Sequence, residues 1–221
     1  MIIDIEGTDG SGKLTQTKKL FEYLVNKGYK CKMISFPNYD SKSSVLLKMY
    51  LNGEFGGNVN CVNSYQSSVF YAIDRFETMR QINIDDYDYI LFDRYTPSNM
   101  IHQSTRIDDE KELNDYLDWL EDFEYVKLCL PKPDKILFLD MPAEFSIELA
   151  RARAELKNGQ ARDIQEEDST HLFKAYNRAK YVAEKYNWTT IKCVNKGVRD
   201  IEEIHQDILT KLGLKWYIKK H

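Results

Sequence analysis

Ile2-Ile3-Asp4-Ile5-Glu6-Gly7-Thr8-Asp9-Gly10-Ser11-Gly12-Lys13 decides the fold, because a β-branched run leads straight into a glycine-rich turn that closes on a lysine. Ile2 to Ile5 reads as a short strand. Lys13 to Lys27 reads as a helix, with Leu20, Phe21, Leu24 and Val25 on one face and Gly28 as its stop. The turn between them fits G-x-x-x-x-G-K in the strand–turn–helix context that this motif requires. Its glycines let successive N–H groups point at one phosphate, and the helix N-terminus adds its dipole. Lys13 is expected to face solvent and reach the outer phosphates. The next position ordinarily carries a Ser or Thr that ligates Mg²⁺. Here it is Leu14, which cannot, so Thr15 is left to offer a hydroxyl to a phosphate. The metal then falls to carboxylates, with Asp9 in the loop and Asp93 further on as candidates, partly through water.

Working outward, strands alternate with helices. Lys30–Phe36, Tyr89–Asp93, Lys135–Leu139 and Thr189–Val194 read as four more strands. Helices are expected at 44–51, 63–82, 109–124, 143–157, 167–186 and 201–212. This pattern implies an α/β fold: a central parallel five-stranded sheet covered by helices on both faces, in three layers. Ligands of such sheets bind at the carboxyl ends of the strands. No repeat or linker divides residues 1–221, so one domain is expected.

The chain has 221 residues, and 43% of them are hydrophobic, enough to fill a core. Its net charge of −4 argues against general nucleic-acid binding, and no apolar run approaches the ~20 residues of a membrane span. Met1 to Gly7 holds Asp4 and Glu6 and no basic stretch, so no signal peptide is expected. Cys31, Cys61, Cys129 and Cys193 are scattered, which suits reduced, mostly buried thiols in a cytoplasmic protein. The acidic run Asp108 to Glu124 reads as a solvated helix face.

Glu6-Gly7-Thr8-Asp9-Gly10-Ser11-Gly12-Lys13-Leu14-Thr15-Gln16 resembles the opening of thymidylate kinases, P-loop nucleoside-monophosphate kinases that pass the γ-phosphoryl of ATP to dTMP. Asp93-Arg94-Tyr95-Thr96-Pro97-Ser98-Asn99-Met100-Ile101-His102-Gln103 is similar to the family's D-R-Y-x-x-S-x-x-A-Y-Q segment. Tyr71-Ala72-Ile73-Asp74-Arg75 is similar to its aromatic-x-x-x-Arg element, and Phe36-Pro37-Asn38-Tyr39 sits where the family places acceptor-site walls. The resemblance implies an enzyme of dTTP biosynthesis using ATP with Mg²⁺, and a homodimer. It places ATP on Gly7, Thr8, Asp9, Gly10, Ser11, Gly12, Lys13, Leu14, Thr15 and Arg151. It implies that Arg94 holds the acceptor phosphate, a role that suits a guanidinium at a strand's carboxyl end. Tyr71 would stack on thymine and Arg75 would bond a base carbonyl. Phe36, Tyr39, Ser98, Asn99, His102 and Gln103 complete that pocket. His102 stands where the family usually has a tyrosine that crowds the sugar 2′-position. Protonated near its ordinary pKa of ~6.5, it would donate to a 2′-hydroxyl.

A segment at about 151–167, expected to be a lid, carries Arg151, Arg153 and Arg162 around Gly159, and cations on a closing lid neutralise transition-state charge. Some family members carry an arginine right after the loop aspartate, but Gly10 occupies that place here. The resemblance to members with basic residues in the lid implies a catalytic set of Lys13, Asp9, Arg94, Arg153 and Arg162, with Arg151 and Arg153 as alternative registers. Two rivals stand beside this reading. A deoxynucleoside kinase acting on a 5′-hydroxyl would need a carboxylate base, Glu6 or Asp93. A nucleotide-binding relative weakened in catalysis would explain Leu14. Asn195-Lys196-Gly197-Val198 lacks the aspartate of N-K-x-D, which disfavours a GTPase.

Overall fold

A computed structural model describes residues 1–57, 61–156 and 169–214, with residues 150–156 and 169 as backbone only. Five strands form one sheet: β1 (Ile2–Glu6), β2 (Cys31–Ser35), β3 (Tyr89–Asp93), β4 (Lys135–Asp140) and β5 (Thr189–Lys192). The order is β2-β3-β1-β4-β5 and every pairing is parallel. The sequence-predicted class therefore holds. β1 lies at the centre, with Asp4 beside Phe92 on one side and Ile136 on the other.

Among the described residues, eight α-helices connect and cover the strands: α1 (Lys13–Asn26), α2 (Val45–Leu51), α3 (Ser64–Arg80), α4 (Thr96–His102), α5 (Glu110–Glu121), α6 (Ala143–Leu156), α7 (Ser169–Lys185) and α8 (Ile201–Lys211). Strand alternation sorts the core into two layers. Ile3, Ile5, Leu137 and Leu139 pack against Leu20 and Leu24 of α1 and Ile204 and Ile208 of α8. The other face carries Phe138 against Met100 of α4, Leu117 of α5 and Ala179 of α7, while Ile90 and Phe92 meet Met79 of α3. Asp4 projects into that second layer. It is fully buried, and neither carboxyl oxygen has a hydrogen-bond partner among the described residues.

α3 starts on a capping box, in which Gln66 N–H donates to Asn63 Oδ1 at 2.8 Å and Asn63 N–H to Gln66 Oε1 at 3.0 Å. α4 carries no apolar repeat that announces it. Pro97 in its first turn and burial on almost every side make it a helix by context.

Two expectations need correction. The acidic run is a solvated face only in part. After α5 the chain widens into a π-helical turn, Asp122–Lys127, in which Leu128 N–H donates to the Phe123 carbonyl at 2.9 Å. Glu124 lies inside that turn and is fully buried. Its spacing from Leu113, Leu117 and Leu120 puts it on the buried stripe of α5. The thiols are not mostly buried either, for Cys61 and Cys129 are exposed.

Candidate active site

The loops after β1, β2 and β3 open on the carboxyl edge of the sheet, where parallel strands leave a crevice. The loop after β1 needs its glycines. Gly12 takes φ +92° at the mouth of α1, and Gly10 takes φ +86° with α6 pressed against it. A Cβ on Gly10 would sit 2.3 Å from the Ser146 carbonyl oxygen. Thr8 and Ser146 hydroxyls lie 3.1 Å apart and join the loop to α6. Ser11 is buried with its hydroxyl unpartnered among the described residues.

Lys13 does not face solvent as expected. Only 6% exposed, it curls back so that Nζ donates to the Thr8 carbonyl at 2.7 Å and lies 3.8 Å from Asp9 Oδ1. A buried ammonium needs such partners, and the loop supplies them. Leu14 points outward at 46% exposure, so its side chain ligates nothing and packs little. Asp93 ends β3, and its carboxyl is pushed up by burial, with Lys13 and Ser35 drawing it back.

Arg94 follows in the left-handed region at φ +68°, a strain of about 1 kcal/mol for a residue with a Cβ. Glu6 holds this turn. Its Oε1 accepts from Tyr95 N–H at 3.0 Å and from Ser98 Oγ at 2.7 Å. Glu6 is fully buried, and burial raises its pKa. Both bonds fall on Oε1, and Oε2 has no hydrogen-bond partner among the described residues. The Arg94 guanidinium is held at both ends, by Asp9 Oδ1 on Nη2 and by His102 Nε2 at 2.9 Å on Nη1. An arginine has no acceptor, so His102 Nε2 must accept and its proton must sit on Nδ1. Burial, then Arg94, His171 and Lys13, hold His102 well below 6.5. The expected protonated donor toward a sugar hydroxyl is thus replaced by a neutral imidazole serving Arg94. His171 of α7 stacks on it with centroids 5.9 Å apart.

The wall between α3 and α4 carries the other expected residues. Arg75 is 2% exposed and forms a fork on Glu124, Nε to Oε2 at 2.7 Å and Nη2 to Oε1 at 2.6 Å, while Nη1 reaches the Tyr95 carbonyl at 3.4 Å. Burial works against its charge, and Glu124 outweighs burial. Asn99 donates from Nδ2 to the Ser68 carbonyl at 3.2 Å and to Glu124 at 3.3 Å, which turns Oδ1 the other way. Gln103 Oε1 accepts from Ser67 Oγ at 2.9 Å and from Arg106 Nη2. Because Arg106 can only donate, this fixes the Gln103 amide with Nε2 outward. Phe70 stacks on Phe55 with centroids 5.4 Å apart and Tyr71 lies edge-on to Tyr50, and both rings are half-buried. Phe36 is core against Phe92 and Tyr95, and Tyr39 is exposed. Asp74 accepts from Asn38 N–H at 2.8 Å and ties the loop after β2 to α3.

The side chains of Arg151 and Arg153, and all of Arg162, lie outside the described residues, as does most of the 151–167 lid. Sequence reasoning missed Glu124 and Arg106 altogether. Glu124 had a usable signal, a charge on a buried stripe, while Arg106 had none.

The family model described as thymidylate kinase matches residues 5–208. The chain belongs to the thymidylate kinase family. The activity of the family is phosphorylation of dTMP, and this member is a kinase of nucleotide biosynthesis. It is 33% identical over 172 residues to thymidylate kinase of Mycobacterium tuberculosis, covering 76% of this chain and 79% of that one. It is 27% identical over 212 residues to the Plasmodium falciparum enzyme, covering 95% and 88%. Among solved structures, thymidylate kinase from Candida albicans superposes with a TM-score of 0.71 at 23% identity, covering 96% of this chain and 90% of that one. Deoxyadenosine kinase from M. mycoides reaches 0.62 at 18%, covering 96% and 99%, which speaks for a shared fold alone. Family membership gives Gly10 its meaning. With α6 against its backbone, this loop has no room for the arginine that some members carry there.

Proposed function

We propose that this family member transfers the γ-phosphoryl of ATP directly to the 5′-phosphate of dTMP, with the donor on the Gly7–Thr15 loop and the acceptor between α3, α4 and Arg94. The observation that carries the base assignment is the orientation of three polar groups. Arg75 offers N–H, Asn99 offers Oδ1, and Gln103 offers Nε2–H. That donor–acceptor–donor pattern complements the O4, N3–H and O2 edge of thymine. Cytosine would bring an amino group against Arg75.

Lys13, the loop amides and the Ser11 hydroxyl bind the donor phosphates. Arg94 takes the acceptor phosphate, with Asp9 and His102 holding the guanidinium between them. The acceptor is already anionic, so no general base is needed, and catalysis is alignment plus charge neutralisation. Lid arginines Arg153 and Arg162, with Arg151 on ATP, supply the remaining positive charge. The donor set suits Mg²⁺, because both contacts to Asp9 fall on Oδ1 and leave Oδ2, with Asp93 as a second hard oxygen ligand. When bound, the ion neutralises phosphate charge. A homodimer in the cytoplasm completes the reading, the latter resting on four cysteines scattered along the chain with no C-x-x-C pair.

The test is an acceptor series with ATP and Mg²⁺. kcat/KM for dTMP should exceed that for thymidine and for dCMP by about a hundredfold or more. Equal use of thymidine would move the protein to the nucleoside kinases. Binding of ATP without turnover of any acceptor would make it a catalytically weakened relative.

A further inference from the structure

Glu124 accepts four hydrogen bonds and has no exposure to solvent. Two come from Arg75, one from Thr96 Oγ1 at 2.7 Å and one from Asn99 Nδ2 at 3.3 Å. The donors belong to α3 and α4, whereas Glu124 comes from the π-helical turn after α5. Glu124 continues the buried stripe of α5, and the π-helical turn that holds it sets the carboxylate between the two base-facing helices. A carboxylate has two oxygens, and here each serves α3 and α4 together. Oε1 holds Arg75 Nη2 and Asn99 Nδ2, and Oε2 holds Arg75 Nε and Thr96.

The structure assigns Glu124 as the positioning residue for base selection, the one group that sets both the direction of the Arg75 donors and the orientation of the Asn99 amide. This rests on the reading that Arg75 and Asn99 face the base. The consequence is specific. Were Glu124 only a counter-charge, any substitution would change stability and leave selectivity alone. As the shared acceptor, it keeps a donor and an acceptor side by side, which is what separates thymine from cytosine. Without it, among the described residues, Asn99 Nδ2 keeps only the Ser68 carbonyl at 3.2 Å and Arg75 only the Tyr95 carbonyl at 3.4 Å, a weaker hold that lets the amide turn over to present Nδ2 to N3 of cytosine and lets Arg75 swing away from the clashing amino group.

Two variants and two controls test this. Glu124→Gln keeps shape but sets an amide donor against a guanidinium. Glu124→Asp keeps the charge but, one methylene shorter, cannot span Arg75 and Asn99 at once. Arg75→Met and Asn99→Ala probe the base reading itself. kcat/KM for dTMP and dCMP, KM for ATP and Tm are measured for each. Both Glu124 variants should lose about 10- to 100-fold in kcat/KM for dTMP while the dTMP-to-dCMP ratio falls at least about tenfold, with KM for ATP steady. If Glu124→Gln fails to fold, Glu124→Asp carries the test alone. A lowered Tm with an unchanged ratio overturns the proposal. If Arg75→Met and Asn99→Ala narrow the ratio and the Glu124 variants do not, Glu124 is a structural counter-charge. If none of the four moves it, the base reading fails first and the positioning role falls with it.

Discussion

Arg94 is the residue on which most of the proposed acceptor site turns. Its strained φ of +68° is tolerable because Glu6, Asp9 and His102 hold the turn and the guanidinium from three sides. Arg94→Lys conserves charge but loses the planar fork. It should cost about 2 kcal/mol, roughly thirtyfold in kcat/KM for dTMP, without weakening ATP binding. Equal weakening of both substrates in steady-state kinetics would place Arg94 elsewhere. Asp4 is the opposite case, a buried carboxyl with unpartnered oxygens and no role in the site. Burial and the neighbouring Glu6 and Asp93 raise its pKa well above 3.8. The folded state therefore holds this proton more tightly than the unfolded chain. That contribution is complete below about 3.8 and is lost as pH rises through the raised value. Asp4→Val should thus raise stability by about 1–3 kcal/mol, a Tm gain of several degrees that grows with pH. A lower Tm at neutral pH would show that Asp4 has a compensating partner.

At the scale of elements, the contact between the phosphate loop and α6 matters most. Gly10→Ala forces a Cβ into a left-handed residue and into the Ser146 carbonyl. Either the loop or the start of α6 must move. The expected outcome is a loss of about 1–2 kcal/mol in stability together with a raised KM for ATP. Unchanged kinetics alongside the Tm loss would uncouple α6 from the donor site. The packing of α8 on α1 has its own pH signature. His205 lies buried beside Tyr23, and burial, assisted by Lys19, lowers its pKa from 6.5 to about 4. The unfolded chain takes this proton first, so the stability it lends is present above 6.5 and drains away as pH falls toward 4. His205→Gln should flatten the fall of Tm across that window, and an unaltered slope would assign acid sensitivity to other groups.

The whole molecule places three loops on one edge, and Lys13 is where the loop after β1 meets the end of β3. Its ammonium is bonded to Thr8, lies 3.8 Å from Asp9 and lowers the proton affinity of Asp93 on the next strand. Lys13→Ala should reduce turnover by about 10²–10³ while the melting transition persists. Turnover within a few-fold of the unaltered enzyme would refute the phosphate-loop assignment.

The sequence by itself determined the class of fold, the order of the strands along the chain, the helices other than α4, and the glycine-rich loop after β1. Each of these is written in local signals: β-branched runs, 3.6-residue periodicity, and glycines where φ must be positive. Tertiary structure alone decided that Lys13 is buried, that His102 stays neutral and serves Arg94, and that Glu124 leaves the solvated run to bind Arg75. Those outcomes depend on burial and on partners far apart in the chain, 49 residues in the case of Arg75 and Glu124. The direction of an amide or the charge of an imidazole is set by what lies within about 3 Å of it in space, and no spacing along the chain encodes that.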